Sequence, residues 1–325
     1  MSATVYDGKA LVSKLSRRIR READQLRSQH HIDVGLGILL ITGDQVAMAD
    51  SGKIVSLAEQ SGIEVQIERV AKRNVARKFY PTLEEYAASP FIQGIYIQLP
   101  IPTELVPMQE IMKRLPPEKD VGGLHFVNRG MSTFTPYEVG EQVHPPEVLA
   151  AVEALKQCGF NFRGGKVVVV GSEATAGLVK ILAGNLFDKG CNVKVLRYSN
   201  ISRMSGEDGS MRLKDMSTGG REPDGIVNPE GEAVITWANH SRWLSSTRLA
   251  PQSIVIDMGY KFSRGVVSGD CDFLSVSRTA KVVTPVPGGV RNIAHAIILQ
   301  NLINLINRQI DMKLEKPGEV LKRRF

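Results

Sequence analysis

The chain has 325 residues, of which 42% are hydrophobic and 23% charged, with a formal net charge of +7. A chain of that length is expected to form two domains, its composition is that of an ordinary globular protein, and no apolar run reaches the roughly 18 residues that a membrane-spanning helix needs. Cys158, Cys191 and Cys271 are odd in number and lack a CxxC pair, which argues against structural zinc or a disulfide framework and fits a reducing compartment.

The positive charge is concentrated at the two ends. Between Asp7 and Arg27 seven bases (Lys9, Lys14, Arg17, Arg18, Arg20, Arg21, Arg27) face Asp7, Glu22 and Asp24. Between Arg308 and Phe325 six (Arg308, Lys313, Lys316, Lys322, Arg323, Arg324) face Asp311, Glu315 and Glu319. Residues 8–29 read as an amphipathic helix, with Leu11, Leu15, Ile19 and Leu26 at helical spacing. The acids inside this stretch and the lack of a Ser-rich leader weaken a mitochondrial presequence reading, and no secretory signal is evident; a cytoplasmic or mitochondrial location is expected.

Gly35 to Ile41 is a continuous apolar run of the kind found in buried parallel strands. A helix is predicted over Gln45 to Gln60, closed by Gly62, then a strand from Ile63 to Val70, a short helix from Leu83 to Ser89 and a strand from Phe91 to Leu99 ending at Pro100. Pro145 to Cys158 is helical in pattern. Lys166 to Val170 is a β-branched strand that turns at Gly171 and runs through Gly177 into an apolar helix ending near Gly190. Shorter strands are expected at Val193 to Leu196, Ala233 to Trp237 and Ser253 to Met258, and a final helix from Gly289 to about Met312. This alternation is α/β with largely parallel sheets, the second half opening on a glycine turn as a Rossmann-like nucleotide domain does. Between them, residues 199–231 are rich in Ser, Gly, Asp and Arg and read as a mobile surface insertion.

Several stretches resemble the bifunctional methylenetetrahydrofolate dehydrogenase/cyclohydrolase family. They are Asp7-Gly8-Lys9, Gly94-Ile95-Tyr96-Ile97-Gln98-Leu99-Pro100-Ile101-Pro102, Lys119-Asp120-Val121-Gly122-Gly123, Val255-Ile256-Asp257-Met258-Gly259, Gly269-Asp270-Cys271-Asp272-Phe273 and Thr284-Pro285-Val286-Pro287-Gly288-Gly289-Val290. The resemblance spans nearly the whole chain. It implies a catalytic-type domain of residues 1–145 completed by 290–325, a Rossmann-like domain of 146–289, a folate cleft between them and a homodimer.

Within that resemblance the site residues depart from the family pattern. The family's lysine, which assists opening of the methenyl bridge, falls on Ile54, and its tyrosine one turn earlier falls on Asp50; Lys53 lies about 100° around the helix and reads as solvated. Gln98, which supports the lysine, is retained. Asp120, Pro287, Gly288 and Gly289 fall at substrate-binding positions, but Gly122 replaces the aspartate that binds the pterin. At the cofactor positions Gly171 and Gly177 are kept, Ser172 and Glu173 replace the arginine and serine that hold a ribose 2′-phosphate, and Arg291 replaces a glycine. Trp237-Ala238-Asn239-His240 stands where the family has Gly-x-Pro, and His144 stands near the family's Cys-Thr-Pro turn as a structural histidine.

These departures point to a catalytically degenerate relative with no cofactor, serving as a structural or assembly component of a larger complex, such as a ribonucleoprotein contacted through the basic ends. The alternative is an active, divergent NAD- or NADP-dependent methylenetetrahydrofolate dehydrogenase with little or no cyclohydrolase activity, because hydride transfer depends on positioning more than on the lysine. No GxSxG, Walker or metal-ligand spacing offers another chemistry.

Overall fold

The computed structural model describes residues 2–102, 104–134, 142–200, 211–215, 227–228, 232–263 and 265–314. They form two compact α/β units, one of Met1–Leu11 with Glu147–Ala294 and the other of Val12–Pro146 with His295–Phe325.

In chain order, β1 (Thr4–Val5) leads into α1 (Lys9–His30), whose buried Leu15, Ile19, Ala23 and Leu26 recur every three or four residues. Then come β2 (Gly35–Thr42), α2 (Gln45–Gln60), β3 (Glu64–Ala71), α3 (Val75–Ala88) and β4 (Gly94–Ile97). The Asp44 side chain caps α2 by accepting from Ala47 N at 2.8 Å, and Gly62 turns the chain out of it at a φ of +73°. β3, β2 and β4 form a parallel three-stranded sheet in that order. Covered on both faces, β2 is apolar along its length, and Leu39, Ile41, Phe79, Leu83, Tyr86 and Ile92 make up much of the core. Short helices α4 (Met108–Met112) and α5 (Phe126–Phe134) follow, then α6 (Pro146–Gln157).

The other unit is built on β5 (Lys166–Gly171), α7 (Ala176–Asp188), β6 (Asn192–Asn200), β7 (Met211–Asp215), β8 (Ala233–Trp237) and β9 (Ile254–Asp257). The hairpin β10 (Lys261–Ser263) and β11 (Val266–Ser268), α8 (Phe273–Val276), β12 (Val282–Val283) and α9 (Val290–Leu314) complete the chain. Its seven-stranded sheet has the order β1-β12-β9-β8-β5-β6-β7, parallel throughout except for the β6–β7 pair. Val168, Val170, Leu196, Val234, Val255 and Val283 fill its core.

Four observations differ from the sequence reading. The first residues lie with the seven-stranded sheet, because Thr4 and Val5 pair with Val282 and Val283. α3 begins at Val75 and carries Pro81 in its interior; burial of Phe79, Leu83 and Tyr86 on one face outweighs the backbone bond that proline removes. β4 is confined to Gly94–Ile97. Within 199–231, β7 pairs with β6, whereas 201–210, 216–226 and 229–231 lie outside the described residues.

Within the three-stranded unit α9 packs directly on β4: a Cβ on Gly94 would come within 2.5 Å of Leu302 Cδ1. α9 also meets α1 there, with Gln300 Nε2 donating to Glu22 Oε2 at 3.0 Å.

Candidate functional site

In α2 the buried stripe is Ala47, Asp50, Ser51, Ile54 and Ala58. Ile54 is fully buried, so the position that matches the family's lysine is occupied by hydrocarbon, while Lys53 is exposed. Asp50, at the tyrosine position, is also buried, and His295 of α9 brings Nε2 to 3.4 Å from its Oδ1. Nothing in the sequence near either residue signals this pairing, which depends on α9 returning to the three-stranded unit.

Gln98 follows β4 and is 3% exposed; its Nε2 donates to Leu99 O at 2.9 Å, and its buried Oε1 has no hydrogen-bond partner. An orphaned buried acceptor costs about 1–3 kcal/mol, which fits a side chain whose lysine partner, by the resemblance, has been replaced. The buried Asp120 carboxylate accepts from His125 N at 2.7 Å and Asn128 Nδ2 at 2.9 Å, and burial raises its pKa. It thereby pins the loop leading into α5. A Cβ built on Gly122 would meet the Tyr96 ring at 3.5 Å and Asp120 Oδ1 at 3.7 Å, ordinary contacts. The backbone would therefore accept a side chain at this position, where by the resemblance an aspartate would bind the pterin.

In the seven-stranded unit the turn after β5 holds itself closed. Thr175 Oγ1 accepts from Ser172 N at 2.9 Å and donates to Trp237 O at 2.7 Å, tying the ends of β5 and β8 together. Gly171 packs strand against helix, since a Cβ there would reach Val179 Cγ2 at 2.6 Å. Glu173 projects from this turn, its side chain 90% exposed, and its Oε2 lies 3.2 Å from Nη2 of Arg197, which the parallel register sets beside Gly171.

Next to it, the ends of β6 and β8 are covered by aromatic side chains. The Tyr198 ring lies 4.8 Å from that of His240 and 5.5 Å from that of Trp243. Asp270 fixes this arrangement by accepting from Thr236 Oγ1 (2.7 Å), Ala238 N (2.6 Å) and His240 N (2.8 Å). Asp257 binds the backbone N–H groups of Gly259, Asp270 and Cys271. Burial, and then the neighbouring Asp270 carboxylate, push Asp257 up to about 7, and burial also raises Asp270. The two motif aspartates thus organise loops rather than face solvent.

In the 284–290 turn, Gly289 has a φ of +51°, and a Cβ on it would lie 2.8 Å from Pro285 O, so only glycine fits. Pro287 and Gly288 belong to the same turn, where Gly288 also takes a positive φ of 114°. Arg291, one residue into α9, lays its guanidinium 4.0 Å over the Tyr260 ring.

Two family models match the chain: the tetrahydrofolate dehydrogenase/cyclohydrolase catalytic domain over residues 6–122 and the NAD(P)-binding domain of the same enzymes over residues 224–310. The chain belongs to the tetrahydrofolate dehydrogenase/cyclohydrolase family. Among its relatives, the bifunctional protein FolD of Desulforamulus reducens is 26% identical over 306 residues, covering 94% of this chain and 98% of that protein. Two solved structures share the fold. The Trypanosoma brucei methylenetetrahydrofolate dehydrogenase-cyclohydrolase complexed with NADP and inhibitor has a TM-score of 0.79 at 19% identity, over 95% of this chain and 99% of that one. The NAD-dependent 5,10-methylenetetrahydrofolate dehydrogenase of Saccharomyces cerevisiae has a TM-score of 0.73 at 15% identity, over 97% and 100%.

For a tetrahydrofolate dehydrogenase/cyclohydrolase the adenosine half of the dinucleotide site fits the residues present. A Cβ on Gly177 would meet no heavy atom within 4 Å, which leaves the start of α7 open, and the Glu173–Arg197 pair lies beside it at the ends of β5 and β6. Arg197 and His295 were missed in the sequence. Arg197 had a signal, a cation at the end of the second strand of a βαβ unit; His295 had none. Among the described residues no cluster of His, Cys, Asp or Glu is suited to hold a metal ion, and no helix is long and apolar enough to cross a membrane.

Proposed function

We propose that the chain is an NAD(P)-dependent methylenetetrahydrofolate dehydrogenase that has lost the cyclohydrolase reaction. The observation that carries this reading is the fully buried Ile54 on α2. Hydrolysis of the methenyl bridge needs a group that polarises and moves a proton, and isoleucine can do neither. Hydride passes directly between substrate and nicotinamide, so the chain's task there is to hold two ligands in register and keep water out. A nicotinamide dinucleotide supplies the hydride acceptor. The open start of α7 supports its phosphates, and the glycine turn at 288–289 supports close approach of a ligand to the backbone. The relatives carry enzyme names, which favours an enzyme over an assembly component.

A second reading, a non-catalytic member of the family, is favoured by one observation in each unit. The Asp50–His295 pair fills the tyrosine position, and Arg291 stacks on Tyr260 where the family has a bare glycine. The ribonucleoprotein role rested on the basic ends. On α1, Arg18 pairs with Glu22 and Arg27 with Asp33, while Lys316, Lys322, Arg323 and Arg324 lie outside the described residues. Isothermal titration of the purified protein with NAD, NADP and a reduced folate separates the readings. Binding of a dinucleotide and of the folate is expected; binding of neither supports the non-catalytic reading.

A further inference from the structure

The family's 2′-phosphate anchor is absent, yet the ribose end of the site is not bare. Glu173 and Arg197 come from different elements, the turn after β5 and the end of β6, and meet at 3.2 Å. The register places Arg197, at the end of the second strand of the βαβ unit where Rossmann units discriminate between a ribose hydroxyl and a ribose phosphate, opposite Gly171 at the glycine turn that carries Glu173. Each residue alone would select a different coenzyme. A carboxylate accepts hydrogen bonds from a ribose diol and repels a phosphate, whereas a guanidinium binds a phosphate through two parallel N–H groups. Glu173 is the more exposed partner at 90% against 45%, so it stands nearer the approaching ligand while Arg197 holds it from behind.

We propose that Glu173 and Arg197 form the coenzyme-selecting pair of this chain and set it to NAD rather than NADP, with Glu173 receiving the ribose hydroxyls and Arg197 neutralised as a phosphate ligand. The proposal rests on the dehydrogenase reading and adds to it the choice of coenzyme and the residues that make it. An exposed ion pair contributes little to stability, so both side chains can be changed without loss of fold.

The test is a fluorescence titration of NADH and NADPH against the full chain, Glu173→Gln, and Glu173→Gln combined with Arg197→Gln, at low and moderate salt. The wild type is expected to bind NADH about tenfold more tightly, one charge-assisted contact's worth. Glu173→Gln should tighten NADPH about tenfold in a salt-sensitive way, and the added Arg197→Gln should cancel that gain. A wild-type preference for NADPH, a ratio unchanged by Glu173→Gln, or a gain that survives loss of Arg197 would overturn the proposal while leaving the dehydrogenase reading intact. Failure of every form to bind either dinucleotide would remove both.

Discussion

His295 on α9 sets its Nε2 3.4 Å from Oδ1 of Asp50 on α2, with both side chains buried. Two helices far apart in sequence are thus tied at the point where, by the family pattern, a tyrosine would stack near the folate. Replacing His295 with alanine takes away a group facing a buried carboxylate and should destabilise the fold by about 1–3 kcal/mol. A double-mutant cycle with Asp50→Ala, read by urea denaturation, should show coupling; additive effects would mean the pair carries no interaction energy.

Restoring the lysine by Ile54→Lys should not restore methenyl hydrolysis. It places an ammonium in a fully buried position and should lower stability by about 3 kcal/mol at neutral pH. Gly122→Asp, by contrast, meets only ordinary contacts and should fold normally while tightening folate binding. Thermal melts and folate titrations of the two variants check both outcomes.

Much of the fold could be read in advance where local pattern and tertiary environment agree. β2, β5, β8 and β9 are apolar runs because they are covered on both faces, and α2 begins and ends where Asp44 and Gly62 say it should. β1 and β12, two residues each, carry no periodicity and exist only because they pair with each other and with β9. α3 was expected only from Leu83, yet it starts at Val75, and its buried face holds the helix through Pro81. At the positions where the resemblance places a lysine and a pterin-binding aspartate, Ile54 and Gly122 were legible as residue types. What replaced them was not, because Asp50–His295, Glu173–Arg197 and Arg291–Tyr260 are each made by elements separated in sequence.

Stability should fall as pH rises from about 4 to about 7. Asp257 titrates near 7 in the folded chain, against an ordinary value of 3.8, and Asp270 is shifted in the same direction. In that window the folded state binds more protons than the unfolded state, so raising pH favours unfolding. Asp257→Asn keeps an acceptor for the loop N–H groups and should flatten this slope in denaturation curves taken across the window. An unchanged slope would show that other groups govern it.

Two glycine substitutions should move stability in opposite directions. Gly184 lies inside α7 with no heavy atom within 4 Å of a built Cβ, so Gly184→Ala should gain about 0.5–1 kcal/mol. Gly289→Ala puts a methyl 2.8 Å from Pro285 O at a positive φ and should cost more than about 1 kcal/mol. Paired thermal melts report both.

The most direct test of the central claim is to follow nicotinamide reduction and the folate product together in one reaction of the wild-type protein with methylenetetrahydrofolate. A dehydrogenase without cyclohydrolase activity leaves methenyltetrahydrofolate accumulating one for one with reduced nicotinamide, decaying only at its uncatalysed rate. Enzyme-dependent hydrolysis of the methenyl product, or no reduction of either NAD or NADP above the protein-free control, would contradict the account.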